Sequence, residues 1–356
     1  MSLFDKNKIP LVGHHAKIAK FSNKLFEKND LCLLSCVGCN SVPINSHSLQ
    51  EAAIRRIADK TSHVYAFQSP SFDELNAIYS EAKYSPKKIS SSNATTFKGF
   101  CLSHDTKLFE CIEKEKIIPT EKQLHALHLR AIAKLVFNFS AGMNALEGIL
   151  NYDYPDYHNP KEELLFLLRE KEPRLIVRDR LMQETEDVIR SIDCSGTKMK
   201  SYIILRLTDV PSIMCSTIFI PSFDFNGNPL PVHDNLVDAP YICVTVSSDI
   251  YGGYIVLQWD KQNIMSQKVI SSLHENGLDT NKLLAMSILF SDYIFKIDWW
   301  DTLGSDQKEM ITHFAMSQYF MYRLRDPDVP RKMYNHFFSK NVKFSDFVVD
   351  EIKTNA

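Results

Sequence analysis

Cys36-Val37-Gly38-Cys39, then Asn45-Ser46-His47, then Phe100-Cys101-Leu102-Ser103-His104-Asp105: the reading of this chain turns on these three pieces. A Cys-x-x-Cys pair and a Cys-x-x-His pair together supply four soft or borderline donors of the kind tetrahedral zinc prefers. Cys36, Cys39, Cys101 and His104 are therefore expected to hold a structural Zn2+, and two unrelated pairs is the competing reading, because the stretch between them is long. Gly38 suits the tight knuckle that a chelating pair needs. Working outward, Leu31-Cys32-Leu33-Leu34-Ser35 reads as a strand entering the knuckle, and Val42-Pro43-Ile44 as the strand that carries the chain back to His47.

At 356 residues, 44% hydrophobic and 24% charged, the chain has the make-up of a folded protein and the length for two domains, which excludes extensive disorder. No stretch approaches the roughly 20 apolar residues of a membrane helix, and the amino terminus lacks a signal-peptide core, so a cytoplasmic protein with no membrane partner is expected. Cys32, Cys111, Cys194, Cys215 and Cys243 stand singly and are expected to be free thiols in a reducing compartment. The net charge is only −2, yet Lys and Arg outnumber Asp and Glu over residues 1–150 and are outnumbered beyond them. That basic excess favours a nucleic-acid partner for the first part, with an ordinary solvated surface as the alternative.

Apolar periodicity predicts helices over 15–29, 49–60, 72–83, 103–116 and, longest, 124–150, with Thr120 and Gln123 forming a cap-like pair ahead of the last. Residues 84–98 read as a polar, basic loop. The Pro- and Tyr-rich segment 151–160 is the candidate boundary, followed by helices over 161–171 and 173–192. Beyond Gly196 the pattern changes: β-branched and aromatic runs at 201–207, 213–220, 240–247 and 253–259 predict four antiparallel strands. Helices over 261–276, 279–297 and 304–324 and a short tail complete an α+β half.

The order Cys36-x-x-Cys39, His47, Cys101-x-x-His104-Asp105 resembles the HNH, or ββα-metal, endonucleases of the treble-clef zinc-finger type, over residues of about 30–115. The resemblance implies a ββα finger; with the helices read from periodicity, residues 1–150 are expected to be that finger with a helical insertion and a long helix, in an α+β chain. An α+β domain for regulation, sensing or assembly would fill 151–356, with a mainly antiparallel sheet of about four strands. By the match His47 falls on the general base, Asp105 on the ligand of a catalytic Mg2+ or Mn2+, and Asn93 near the middle asparagine. Ser46 stands where the family has a metal ligand, and His104 where it has a cysteine. The implied function is phosphodiester cleavage of DNA or RNA, in an architecture that resembles bacterial anti-phage effectors. A non-catalytic zinc finger that binds nucleic acid or a protein is the alternative.

From its residues alone, His47 is open to three roles: base, hydrogen-bonded structural histidine, or zinc ligand. Lys87, Lys88 and Lys98 are candidate phosphate contacts or a solvated loop. His63 is a candidate for approaching the site from the insertion, whereas His14, His15, His125 and His128 lack partners at ligand spacing and read as surface or core histidines. Trp299-Trp300 reads as a core anchor, with a partner interface as the alternative for exposed indoles. A protein partner or a homo-oligomer would form through the second half.

Overall fold

The computed structural model describes residues 31–68, 84–150, 179–189, 200–231, 239–275, 277–290, 292–319, 328–339 and 348–355. The helices expected at 15–29, 72–83 and 161–171, the boundary at 151–160 and the pair His14-His15 lie outside them.

The chain enters with a 3-10 turn, Leu33–Val37, rather than the expected strand. Its apolar residues coil because Gly38 ends the turn in the left-handed region (φ 92°), which folds the Gly38 and Cys39 N–H groups back onto the carbonyls of Ser35 and Leu34. Strand β1 (Asn45–His47) follows, then helix α1 (Glu51–Ile57), β2 (His63–Ala66), β3 (Lys87–Ser90) and β4 (Thr96–Lys98). Helix α2 (Leu102–Glu113) and the long α3 (Glu121–Leu150) come next. Residues 179–189 form α4. The four strands expected in the second half are β5 (Ser201–Leu207), β6 (Ile213–Phe219), β7 (Ile242–Asp249) and β8 (Gly252–Trp259). Then come α5 (Ile264–His274), α6 (Thr280–Phe290), β9 (Tyr293–Phe295), α7 (Ile297–Thr302), α8 (Ser305–Tyr319), α9 (Val329–Ser339) and β10 (Val349–Thr354).

The chain is α+β, but its main sheet has eight strands among the described residues, not about four, in the order β10-β5-β8-β7-β6-β9-β2-β3. Each pairing in it is antiparallel. β2 and β3 come from the first 150 residues and extend the sheet that the second half builds, so one sheet runs across the expected division. The supposed loop 84–98 contains β3 and β4, and the helix expected over 279–297 stops at Phe290 before β9. The tail supplies β10. β1 and β4 form a separate two-stranded ladder, with Ser46 opposite Phe97 and His47 opposite Thr96.

β5, β7 and nearly all of β6 and β8 are buried on both faces, which requires helices on both sides of the sheet. α3 packs on β6 and β7, α1 on β7, and α6 on β6. Phe97, Phe100 and Phe109 join β4 and α2 to this core, with ring centroids 6.4 Å apart for Phe97 and Phe100 and 5.2 Å for Phe100 and Phe109. Burying each such ring contributes about 1.5–3 kcal/mol. Trp300 is half-buried and packs against the core, its ring 5.0 Å from that of Phe295 and 6.0 Å from that of Phe67.

Candidate metal centre and its surroundings

The knuckle and the start of α2 are drawn together by backbone hydrogen bonds. Leu33 N–H donates to Gly99 O at 2.9 Å, and Ile44 N–H to Phe100 O at 2.8 Å. Cys101 is the residue that caps α2, and His104 lies one turn into it. The result is a group of four donors, Cys32, Cys39, Cys101 and His104, whose ligand atoms all lie within 4.8 Å of one another.

The separations fit one small cation. Cys39 Sγ is 4.0 Å from Cys101 Sγ, and His104 Nδ1 is 3.3 Å from Cys101 Sγ and 3.7 Å from Cys32 Sγ. Zinc bonds of about 2.3 Å to sulfur and 2.0–2.1 Å to nitrogen, arranged tetrahedrally, give edges of about 3.8 Å for S···S and about 3.6 Å for S···N. A disulfide needs its sulfurs about 2.05 Å apart, so Cys39 and Cys101 are not bonded to each other. The Cys3His set is consistent with structural Zn2+. Burial pushes the Cys32 thiol up to about 11, while the backbone N–H of Ser41 draws Cys39 down. A bound cation overrides the first effect, because coordinating thiols lose their protons.

Three of the four expected ligands, Cys39, Cys101 and His104, are in this group. The fourth described donor is Cys32, which the sequence presents as a lone thiol, and the side chain of Cys36 lies outside the described residues. Cys-x-x-Cys spacing points to Cys36; the 3-10 turn between Cys32 and Cys39 also brings the ends of a longer segment to one side.

His47 ends β1, and its Nε2 lies 3.3 Å from Ser91 O. A carbonyl only accepts, so Nε2 carries the ring proton and Nδ1 is the basic nitrogen. Ser46 is buried, and its hydroxyl accepts from Phe100 N–H at 3.2 Å. Asp105 sits in the first turn of α2, its N–H bonded to Cys101 O, and its Oδ1 is buried with no hydrogen-bond partner. Asn93 is in the exposed turn between β3 and β4, its carbonyl accepting from the Thr96 hydroxyl at 3.0 Å. No hydrogen bond among the described residues joins His47, Asn93 and Asp105 to one another.

The lysines lie on strands rather than in a loop. Lys87 and Lys88 are on edge strand β3, where Lys88 pairs with Asp59 at 3.5 Å, and Lys98 is on β4 opposite Asn45. His63 Nδ1 is held in its own turn, 2.7 Å from Thr61 O. The Thr61 hydroxyl holds the neighbouring Asp59 carboxyl well below the usual range. His128 is a core histidine: its Nε2 is 2.9 Å from both Glu184 Oε1 and Lys200 Nζ. Burial lowers both His128 and His125.

A second polar group ties this region to the sheet. Asp249 Oδ2 accepts from Arg206 Nη2 at 2.6 Å and from Ile117 N–H at 2.9 Å, while Arg206 also donates to Ile117 O at 2.8 Å. Comparison with models of known families, with curated proteins and with solved structures finds no match to this chain. No described helix is long and apolar enough to cross a membrane.

Proposed function

We propose that the chain is a zinc-stapled, HNH-like phosphodiesterase acting on DNA or RNA, with His47 as general base and Asp105 as a ligand of the catalytic divalent ion. The observation that carries the reading is the hydrogen bond from His47 to Ser91 O, which fixes the tautomer in which Nδ1 can take a proton. Nδ1 removes a proton from water as the water oxygen attacks phosphorus; the new P–O bond forms while the bond to the leaving oxygen breaks, and solvent protonates that oxygen. A Mg2+ or Mn2+ ion, when bound, supplies stabilisation of the negative charge that develops on the phosphate oxygens. The buried, unpartnered Oδ1 of Asp105 supports a cation beside it. The Cys3His zinc is structural in this scheme, and Lys87, Lys88 and Lys98 are the candidate phosphate contacts. Residues 151–356 would sense, regulate or assemble, as in an anti-phage effector.

One observation favours a second reading, a zinc-stapled module that binds nucleic acid or a protein without cutting. Ser46 is buried and already engaged with Phe100 N–H, so it supplies no ligand beside His47. Purified protein, incubated with plasmid DNA and with RNA in Mg2+ or Mn2+, separates the two. The first reading expects cutting that His47→Ala abolishes with zinc and fold retained, a loss of about 10² to 10⁴ for a general base. Binding that survives His47→Ala, with no cutting in any metal, establishes the second.

A further inference from the structure

We infer that Gln50 is a positioning residue through which the eight-stranded sheet holds His47 in place; the inference rests on the catalytic reading of His47 given above. Gln50 is buried and follows His47 by only Ser48 and Leu49. Both intervening residues are fixed, Ser48 by its N–H bond to Thr95 O at 3.1 Å and Leu49 by burial in the core. The backbone carbonyl of Gln50 opens α1, accepting from Ala53 and Ile54 N–H.

Its side chain reaches three other elements. Nε2 donates to Ile112 O near the end of α2 at 2.6 Å. Oε1 accepts from the Ser247 hydroxyl on β7 at 3.3 Å and from the Tyr254 hydroxyl on β8 at 3.2 Å. α2 is the helix that carries His104 and Asp105 near its start. One amide therefore fixes the segment leaving His47 relative to the helix bearing the ion ligand, and fixes both relative to the sheet. A primary amide suits this position, because it donates and accepts at once; a carboxylate would have no proton for Ile112 O. Such an arrangement gives the second half of the chain a route to the proposed site: a shift of β7 against β8 moves the two hydroxyls that grip Oε1. Misplacement of reacting groups by about 1 Å costs on the order of 10²-fold in rate.

The test compares the zinc-loaded full chain with Gln50→Met and with the sheet-side double variant Ser247→Ala/Tyr254→Phe, which leaves Gln50 itself intact. Zinc content and thermal midpoint are measured first, then kcat and KM for plasmid cutting. The nitrogen resonances of the His47 ring are recorded in parallel, since they report its tautomer without any need for activity. Both variants are expected to keep zinc, to lose about 10- to 100-fold in kcat with KM changed little, and to lose the protected Nε2–H signal of the bond to Ser91 O. Unchanged kcat and an unchanged His47 Nε2–H signal in both variants overturn the inference. So does a fall in thermal midpoint with an intact Nε2–H signal, which is what a purely structural amide would give. If the wild-type chain does not cut at all, the catalytic reading has failed, and the Nε2–H signal alone then decides whether Gln50 positions His47.

Discussion

Replacing Cys32 by Ser tests the metal centre more sharply than replacing any ligand that spacing alone would have named. Cys32 is fully buried, its Sγ accepts from Cys101 N–H at 3.3 Å, and it lies 3.7 Å from His104 Nδ1, an edge close to the about 3.6 Å of a zinc tetrahedron. Removing even the outer partner of a zinc ligand weakens binding about 10- to 100-fold, so loss of a donor itself is expected to exceed the upper figure. At free zinc of about 100 times the wild-type Kd, a site weakened beyond detection forfeits about 2.7 kcal/mol of stability. That is a sizeable part of the about 5–15 kcal/mol that holds a typical domain folded. Chelator competition gives the affinity, and thermal unfolding at fixed free zinc gives the stability loss. Cys36→Ser, measured alongside, is expected to weaken zinc less than Cys32→Ser, because the four described donors Cys32, Cys39, Cys101 and His104 suffice for four-coordination. A Cys32→Ser protein that keeps its zinc within threefold of wild-type affinity, while Cys36→Ser loses it, refutes the assignment.

Asp249→Ala strands the buried Arg206 guanidinium and frees Ile117 N–H, so urea unfolding should show a loss of about 3–5 kcal/mol; a change within experimental error would mean the pair is not holding the sheet to the segment between α2 and α3. Burial keeps His128 and His125 below their ordinary 6.5, so the unfolded chain binds more protons below that value. Stability is then complete above about 6.5 and falls as pH drops, and His128→Asn should flatten part of the fall seen in thermal midpoints between about pH 7 and pH 5. Because β2 and β3 complete a sheet built by later strands, a fragment of residues 1–150 is expected to give the circular dichroism of a partly unfolded chain even with zinc, and a cooperative melt from that fragment would contradict this.

The central strands were legible because burial on both faces demands continuous β-branched and aromatic runs, and β5 to β8 have them. What sequence reading missed was at the margins, for a physical reason. β3 (Lys-Lys-Ile-Ser) and β10 (Val-Asp-Glu-Ile-Lys-Thr) are the two edges of the sheet, where charged side chains protect unpaired backbone and erase the apolar signature of a strand. β9 is only three residues long and follows a helix with the same apolar character, so periodicity alone merges the two.

In the candidate metal centre, Cys39, Cys101 and His104 were legible from spacing and Cys32 was not, while the side chain of Cys36 lies outside the described residues. Cys101 and His104 are one helical turn apart, so their spacing along the chain is also their spacing in space. No such rule joins Cys32 to Cys39: they meet because a 3-10 turn and a left-handed glycine close a loop whose length matches no common ligand motif. The contacts that tie the site to the sheet were invisible for a related reason. The bonded partners are far apart in sequence, 204 positions for Gln50 and Tyr254, 43 for Arg206 and Asp249 and 132 for Ile117 and Asp249, and the elements around them have apolar patterns that explain them adequately without these contacts. Buried polar groups of this kind are specified by what surrounds them, and leaving one unpaired costs about 1–3 kcal/mol, enough to fix how α2 sits on the sheet. Zinc held by the Cys3His group would be compatible with either a cutting or a binding module, and the sheet-side partners of Gln50 are where the two readings diverge. A binding surface tolerates small shifts there, whereas a base that must meet a water and a phosphate does not.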